Sequence, residues 1–91
     1  MRTQPGRRDE VVAILLEGTD RLAQHGCRQY VVGTGTADDV TVWVSELWDS
    51  REAHDASLQL PEVREAIGRA MPMLTGEFTS TDGPISGGLG A

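Results

Sequence analysis

The fold is decided by residues 40–54, which read Val-Thr-Val-Trp-Val-Ser-Glu-Leu-Trp-Asp-Ser-Arg-Glu-Ala-His. Successive strand residues project to opposite faces, so one face of a strand over residues 40–48 holds Val40, Val42, Val44, Glu46 and Trp48. Asp49 and Glu52 then form a D-x-x-E capping box, which predicts that a helix begins directly after the strand. The stretch therefore predicts a strand running into a helix, with a carboxylate among apolar neighbours.

The sequence before this stretch predicts one helix and a second strand. Apolar residues recur at helical spacing over residues 8–25, in a stripe of Val12, Leu15, Leu16, Thr19, Leu22 and Ala23. Gly26 ends this helix, and residues 27–34 form a strand that is β-branched toward its end. Residues 35–39 link this strand to the next, and two strands joined by a short link predict a β-hairpin.

The sequence after the stretch continues the helix that follows the strand. Pro61 interrupts it and begins a further helical segment that reaches Met71. Residues 74–81 predict a last strand, and residues 83–91 form a Gly-rich tail that we expect to be mobile. The chain is thus read as a single domain over residues 1–82 with a tail.

The order helix, strand, strand, helix, strand predicts an α+β fold with two helices on one face of an antiparallel sheet. It is the order of a ferredoxin-like βαββαβ unit with its first strand short or missing. Met1–Gln4 could supply at most a stub of that strand.

Composition narrows the functional classes. The chain has 91 residues, a net charge of −6 and one Cys, so its core is small and has no internal disulfide to support it. We therefore expect an oligomer.

The acidic net charge argues against nucleic acid as a partner. No apolar run is long enough to span a membrane and no signal peptide is recognisable, so a cytoplasmic protein is expected. The scattered His and Cys residues have no metal-ligand spacing.

Two segments resemble the antibiotic biosynthesis monooxygenase family, in particular its quinol-monooxygenase-like branch. One is Pro-Gly-Arg-Arg-Asp-Glu-Val-Val-Ala-Ile-Leu-Leu at residues 5–16. The other is residues 42–58, with Trp-Val-Ser-Glu-Leu-Trp-Asp-Ser-Arg-Glu-Ala-His at its centre, followed by Leu60-Pro-Glu-Val-Arg and Ala70-Met-Pro. The resemblance covers residues 5–82.

The resemblance implies a ferredoxin-like subunit that pairs through its sheet into a homodimeric α/β barrel. It also implies oxygenation of a phenol, quinol or polyketide-type aromatic by O₂, without metal or flavin as cofactor. Other relatives degrade haem with an Asn-Trp-His constellation, but this chain contains no Asn, so that activity is not expected here.

His54 and Glu46 are the candidate catalytic residues. An imidazole titrates near neutral pH and could take the proton of a phenol, although a single His is more often a surface or packing residue. A carboxylate on an apolar face could act as a general base, or it could form a structural pair with an Arg from the helix layer or from the other subunit.

Trp48, Tyr30 and Met71 are the candidate substrate-binding residues. The Trp48 indole could form a flat wall for an aromatic ring, or it could be core packing. The Tyr30 hydroxyl could orient a substrate oxygen, or the ring could be a half-buried strand aromatic. Met71 fits a pocket edge. Trp43 faces the other way and is expected at the subunit interface.

Two functions remain open from the sequence. The first is a cofactor-independent monooxygenase in which Glu46 and His54 handle protons while Trp48 and Tyr30 hold the ring. The second is a non-catalytic or cyclase-like accessory barrel that binds the same class of aromatic intermediate.

Overall fold

A computed structural model describes residues 1–91 and gives an α+β fold of four α-helices and a β-hairpin. The elements are α1 (Arg8–Leu16), α2 (Thr19–Gln24), β1 (Cys27–Thr34), β2 (Val42–Trp48), α3 (Arg51–Ser57) and α4 (Pro61–Ala70), followed by a 3₁₀ turn (Met71–Met73). The predicted ferredoxin-like α+β fold is confirmed. No α-helix is both long and apolar enough to cross a membrane.

The predicted hairpin forms, with β1 and β2 antiparallel. Its connection is longer than the predicted residues 35–39, because the Asp38 side chain organises the turn up to β2. The Asp38 carboxylate accepts hydrogen bonds from the backbone N–H groups of Val40 (2.9 Å) and Thr41 (2.7 Å) and from the Thr41 hydroxyl (2.8 Å). These bonds, that of Val40 foremost, hold the pKa of Asp38 below its usual range.

The N-terminal residues provide the short first strand. Arg2 bridges to Thr41 and Thr3 bridges to Leu74, both antiparallel. The Met1 ammonium donates to the Val42 carbonyl at 2.8 Å, and the Val42 N–H donates to the Met1 carbonyl at 2.9 Å. The segment therefore lies between β2 and the chain after α4, where a ferredoxin-like fold places its first strand.

The last strand predicted over residues 74–81 is wrong. Leu74 forms the bridge to Thr3, and the Thr75 N–H donates to the Arg2 carbonyl at 3.0 Å, but the chain then leaves the sheet. The N-terminal segment that pairs with this part of the chain is short. Its backbone groups at Arg2 and Gln4 bond Thr75 and Met73, so the residues after Thr75 have no strand to pair with. Residues 83–91 form no helix or strand, and their mobility stays a prediction.

The single helix predicted over residues 8–25 is also wrong. Gly18 adopts a left-handed backbone conformation with φ of 68° and separates α1 from α2. Its carbonyl accepts the N–H groups of Arg21 and Leu22, which begin the new helix. Within α1 itself, Val11 is 0% exposed, whereas Leu16 of the predicted stripe is 49% exposed.

The helix after β2 begins one residue later than the capping box predicted. The cap is Ser50, whose hydroxyl oxygen accepts the Ala53 N–H at 3.0 Å. Asp49 instead lies 3.8 Å from the Arg28 guanidinium. Pro61 begins α4, as its preset backbone angle predicts.

The core is as small as the composition suggests. Val11 on α1 and Val42 on β2 are the large hydrophobic residues that are completely buried, and Thr3 in the N-terminal segment is 1% exposed. On the opposite sheet face, Trp43 is 48% exposed and its ring lies over Gly33, its partner in the strand register.

Gly33→Ala is expected to destabilise the domain by about 1 to 3 kcal/mol, because overpacking forces neighbouring groups to shift. A Cβ atom at Gly33 would clash with the six-membered ring of Trp43. Urea unfolding measures the change. Gly68→Ala is the matched control, because its Cβ would meet nothing within 4 Å on α4, and it should stabilise by up to about 1 kcal/mol. Equal effects of the two substitutions would contradict the account of the Trp43 contact.

Candidate active site

A cavity of about 670 Å³ lies between the inner face of the hairpin and the helices, and 14 of its 23 lining residues are hydrophobic. This volume and composition are typical of a small-molecule site. All five residues predicted from the sequence line it: His54, Glu46, Trp48, Tyr30 and Met71. They come from both strands, from α3 and from the turn after α4, so only the folded chain brings them together.

The sheet side of the cavity is built by the strand register. Glu46 and Trp48 lie two residues apart on β2 and therefore share a face, and Tyr30 lies directly opposite Glu46 on β1. The Trp48 indole N–H donates to the Glu46 carboxylate at 3.0 Å. Glu46 forms no salt bridge within the chain. The structural Arg pair that we considered for Glu46 is therefore absent from this chain, and the carboxylate has a neutral partner.

His54 lies beside this group on the first turns of α3. Its ring meets the Trp48 ring edge-on, with 5.4 Å between centroids and 81° between planes. Its Nδ1 atom lies 3.0 Å from a carboxylate oxygen of Asp55. That contact favours the tautomer with the proton on Nδ1, which leaves Nε2 as a proton acceptor. Sequence reasoning missed Asp55, although its position next to His54 was a usable signal.

The Tyr30 hydroxyl remains protonated across the physiological range. Burial raises the pKa of Tyr30 to about 12, and repulsion from the Glu46 carboxylate adds to the effect. Tyr30 can therefore donate a hydrogen bond to a substrate oxygen but cannot act as a base near neutral pH. Burial likewise raises the pKa of the Cys27 thiol, which makes Cys27 a poor nucleophile.

The helix side of the cavity is apolar at its centre and charged at its rim. Apolar side chains from α1, α2 and α4 and the turn after α4 form the centre, among them Leu15, Leu22, Val63, Ile67, Ala70 and Met71. Charged residues also line the cavity, namely Glu17, Arg21, Glu62 and Glu65. Sequence reasoning missed all four, because polar residues beside an apolar helix stripe look like ordinary solvent-facing positions.

One ion cluster joins α4 to the end of α1 at this rim. The Arg69 guanidinium bonds the Glu17 carboxylate, and it bonds Glu65 at 2.7 Å. The bond to Arg69 lowers the pKa of Glu17, and the same contact raises the pKa of Arg69. No group of three or more His, Cys, Asp or Glu side chains is placed to hold a metal ion.

Comparisons with known proteins identify relatives of this architecture. The antibiotic biosynthesis monooxygenase family matches the chain over residues 1–69. The chain is similar to a crystal structure from Chloroflexus aurantiacus J-10-fl that is provisionally assigned as an antibiotic biosynthesis monooxygenase. The TM-score is 0.76 at 39% sequence identity, over 96% of this chain and 92% of that one. No curated protein matches the sequence.

Glu46→Gln is expected to lower the pKa of Tyr30 from about 12, because it removes the repulsion that opposes the phenolate. The pKa should stay above 10.0, the ordinary value, because burial is the larger cause. Gln keeps an oxygen acceptor for Trp48. Tyrosinate absorbance reports the titration directly, since Tyr30 is the sole tyrosine.

The control for this titration is Glu10→Gln, whose carboxylate pairs with Arg7 away from the cavity. Circular dichroism must follow the same samples, because a raised Tyr pKa means that stability falls as pH rises from 10 toward 12. If both variants keep the parent pKa, Glu46 does not act on Tyr30.

Proposed function

Since the chain belongs to the antibiotic biosynthesis monooxygenase family, we propose that it oxidises a phenol, quinol or polyketide-type aromatic with O₂ in this cavity. One observation carries the proposal: the Trp48 ring is in edge contact with His54 and hydrogen-bonded to Glu46 at the wall of a mainly apolar cavity. An aromatic surface, a proton acceptor and a carboxylate thus meet at one point.

The electrons for this reaction come from the substrate. A naphthol and O₂ give a naphthoquinone and water, so one oxygen atom enters the ring while the other leaves as water. The phenolic hydrogen and the ring hydrogen that is replaced both end in that water molecule. The balance needs no further reductant, and we propose the reaction without metal or flavin, as the family resemblance implies.

His54 is proposed to take the phenolic proton on Nε2. Removing this proton makes the ring more electron-rich and more reactive toward O₂, which is the contribution expected of a general base. The proton stays in the site as an imidazolium beside the phenolate, so the pair adds no net charge. Keeping the proton nearby is important here, because the raised pKa of Tyr30 shows that the cavity disfavours an uncompensated phenolate.

The remaining site residues divide the other tasks. Trp48 supports the flat face of the substrate, and the neutral Tyr30 hydroxyl donates to a substrate oxygen. Glu46 accepts a hydrogen bond from the indole N–H of Trp48, and we propose that it takes up the proton that leaves the ring carbon. Met71 closes the edge of the cavity, where a flexible side chain adapts to ring shape.

His54→Ala is expected to lower the rate of oxygen consumption about a hundredfold or more, the usual contribution of a general base. An oxygen electrode measures the rate on reduced naphthols and anthrones, with chelator-treated protein and no added flavin. His25→Ala is the matched control, because His25 lies at the end of α2 and does not line the cavity. An unchanged rate for His54→Ala would refute the proposed role of His54.

Product mass separates this function from the accessory barrel considered above. An oxygenase product exchanges two hydrogens for one oxygen, whereas a cyclase product loses water. If the compound binds but is recovered with its mass unchanged, the protein is a binding protein instead.

We further propose that the protein is a homodimer that pairs through the outer face of its hairpin. Trp43 is 48% exposed and Val31 is 42% exposed on that face, where large apolar side chains are typical of interfaces. Only 7 of 91 residues are buried in the single chain, and a second subunit would add the missing apolar burial. Such a dimer agrees with the barrel that the family resemblance implies.

Trp43→Glu is expected to convert the dimer to a monomer of 9.8 kDa, because it places a charge in the centre of the interface. Light scattering at micromolar concentration measures the mass. Leu16→Glu is the matched control, because Leu16 is 49% exposed but lies on α1. A parent protein that is already monomeric would overturn the proposed dimer.

A further inference from the structure

We propose that the cavity selects an aromatic hydroxyl compound that carries no anionic group. The aromatic hydroxyl part rests on the proposed function, whereas the selection against anions follows from the charges that line the cavity.

The cavity wall carries four carboxylates and two cationic groups. The carboxylates are Glu17, Glu46, Glu62 and Glu65, and the cations are Arg21 and the Met1 ammonium. Arg69 does not line the cavity, but it bonds Glu17 and Glu65, so that group retains one negative charge. The lining groups and Arg69 together carry a net charge of about −1 with His54 neutral.

Two of these carboxylates are available to repel a ligand. Glu46 bonds the neutral indole of Trp48, and Glu62 forms no salt bridge. Both carboxylates are exposed, so water remains around them and they act on a ligand only at short range. At separations typical of a bound ligand, two such charges are expected to weaken an anion about tenfold.

The pKa of Tyr30 reflects how the cavity wall affects a negative charge. It is itself a phenol at the cavity wall, and its pKa is raised to about 12 by burial and by the Glu46 carboxylate. A ligand carboxylate placed near Tyr30 would meet the same apolar surroundings and the same negative neighbour. Unlike a phenol, such a carboxylate could not avoid its charge by keeping a proton near neutral pH.

Arg21 is the residue that would favour the opposite selectivity. It lies on α2, forms no salt bridge and lines the cavity. An anionic ligand would have to use this guanidinium or the Met1 ammonium, which already donates to the Val42 carbonyl, while facing the surrounding carboxylates. Arg21 therefore belongs in the test, because its removal distinguishes recognition of an anion from rejection of an anion.

The test compares three naphthols that differ at one ring position, which carries a hydroxymethyl, an aminomethyl or a carboxylate group. Isothermal titration calorimetry on the parent protein at neutral pH measures binding without requiring turnover. We expect the carboxylate to bind about tenfold more weakly than the other two. Added salt should narrow the difference, because it screens charges at an open cavity.

Two variants test whether the cavity carboxylates cause the weaker binding of the carboxylate compound. Glu62→Gln should reduce the penalty on the carboxylate by severalfold without changing affinity for the hydroxymethyl compound. Glu10→Gln, on the outer side of α1 and outside the cavity lining, should leave all three affinities unchanged.

The outcomes separate the failure of this inference from failure of the proposed function. Binding of none of the three naphthols would refute the aromatic site itself, and this inference with it. Equal affinity for the carboxylate and the hydroxymethyl compound would overturn only the selection against anions. Tighter binding of the carboxylate, abolished by Arg21→Gln, would establish the opposite selectivity.

Discussion

The antiparallel pairing of β1 with β2 holds Tyr30 opposite Glu46 and Gly33 opposite Trp43, and both functional faces of the sheet depend on this register. A shift by one residue would turn Glu46 and Trp48 away from the cavity and bring Trp43 into it. The turn organised by Asp38 and the pairing of Met1 with Val42 hold β2 in place at its start. The local chemistry of a loop and of the first residues therefore determines which side chains meet a ligand.

The electrostatics of the cavity follow from a carboxylate with a neutral partner. Glu46 lines the cavity but remains exposed, and the indole N–H of Trp48 is its hydrogen-bond donor. Such a partner orients the carboxylate but does not cancel its charge. The charge therefore acts on Tyr30 and on whatever binds nearby, and this explains why proton retention by His54 is central to the proposed chemistry.

The two faces of the hairpin have different proposed roles, one in ligand binding and the other in dimer formation. The inner face and the helices enclose the cavity, while Trp43 and Val31 remain exposed on the outer face. A domain with so few buried residues has limited stability of its own. Pairing through the outer face would stabilise the sheet without closing the cavity, so the proposed dimer and the proposed site are compatible.

Local sequence patterns were sufficient for much of this architecture. Alternation and β-branched residues predicted both strands, Pro61 predicted the start of α4, and the five candidate site residues all line the cavity. The errors came where two local signals competed. Ser50 caps α3 although Asp49 also fits a cap, and Gly18 divides a continuous helical pattern. Residues 74–81 have strand propensity but lack a pairing partner beyond Leu74 and Thr75.

The sequence by itself determined the class of fold, the order of its elements and the residue types available for chemistry, because these depend on periodicity and composition along the chain. Only the tertiary structure decided that Glu46 bonds Trp48 and pairs with no Arg of its own chain, and that Asp55 contacts His54. It also placed Glu17, Glu62 and Glu65 around one cavity. Distances between side chains on different elements depend on packing and strand register, which local periodicity does not specify.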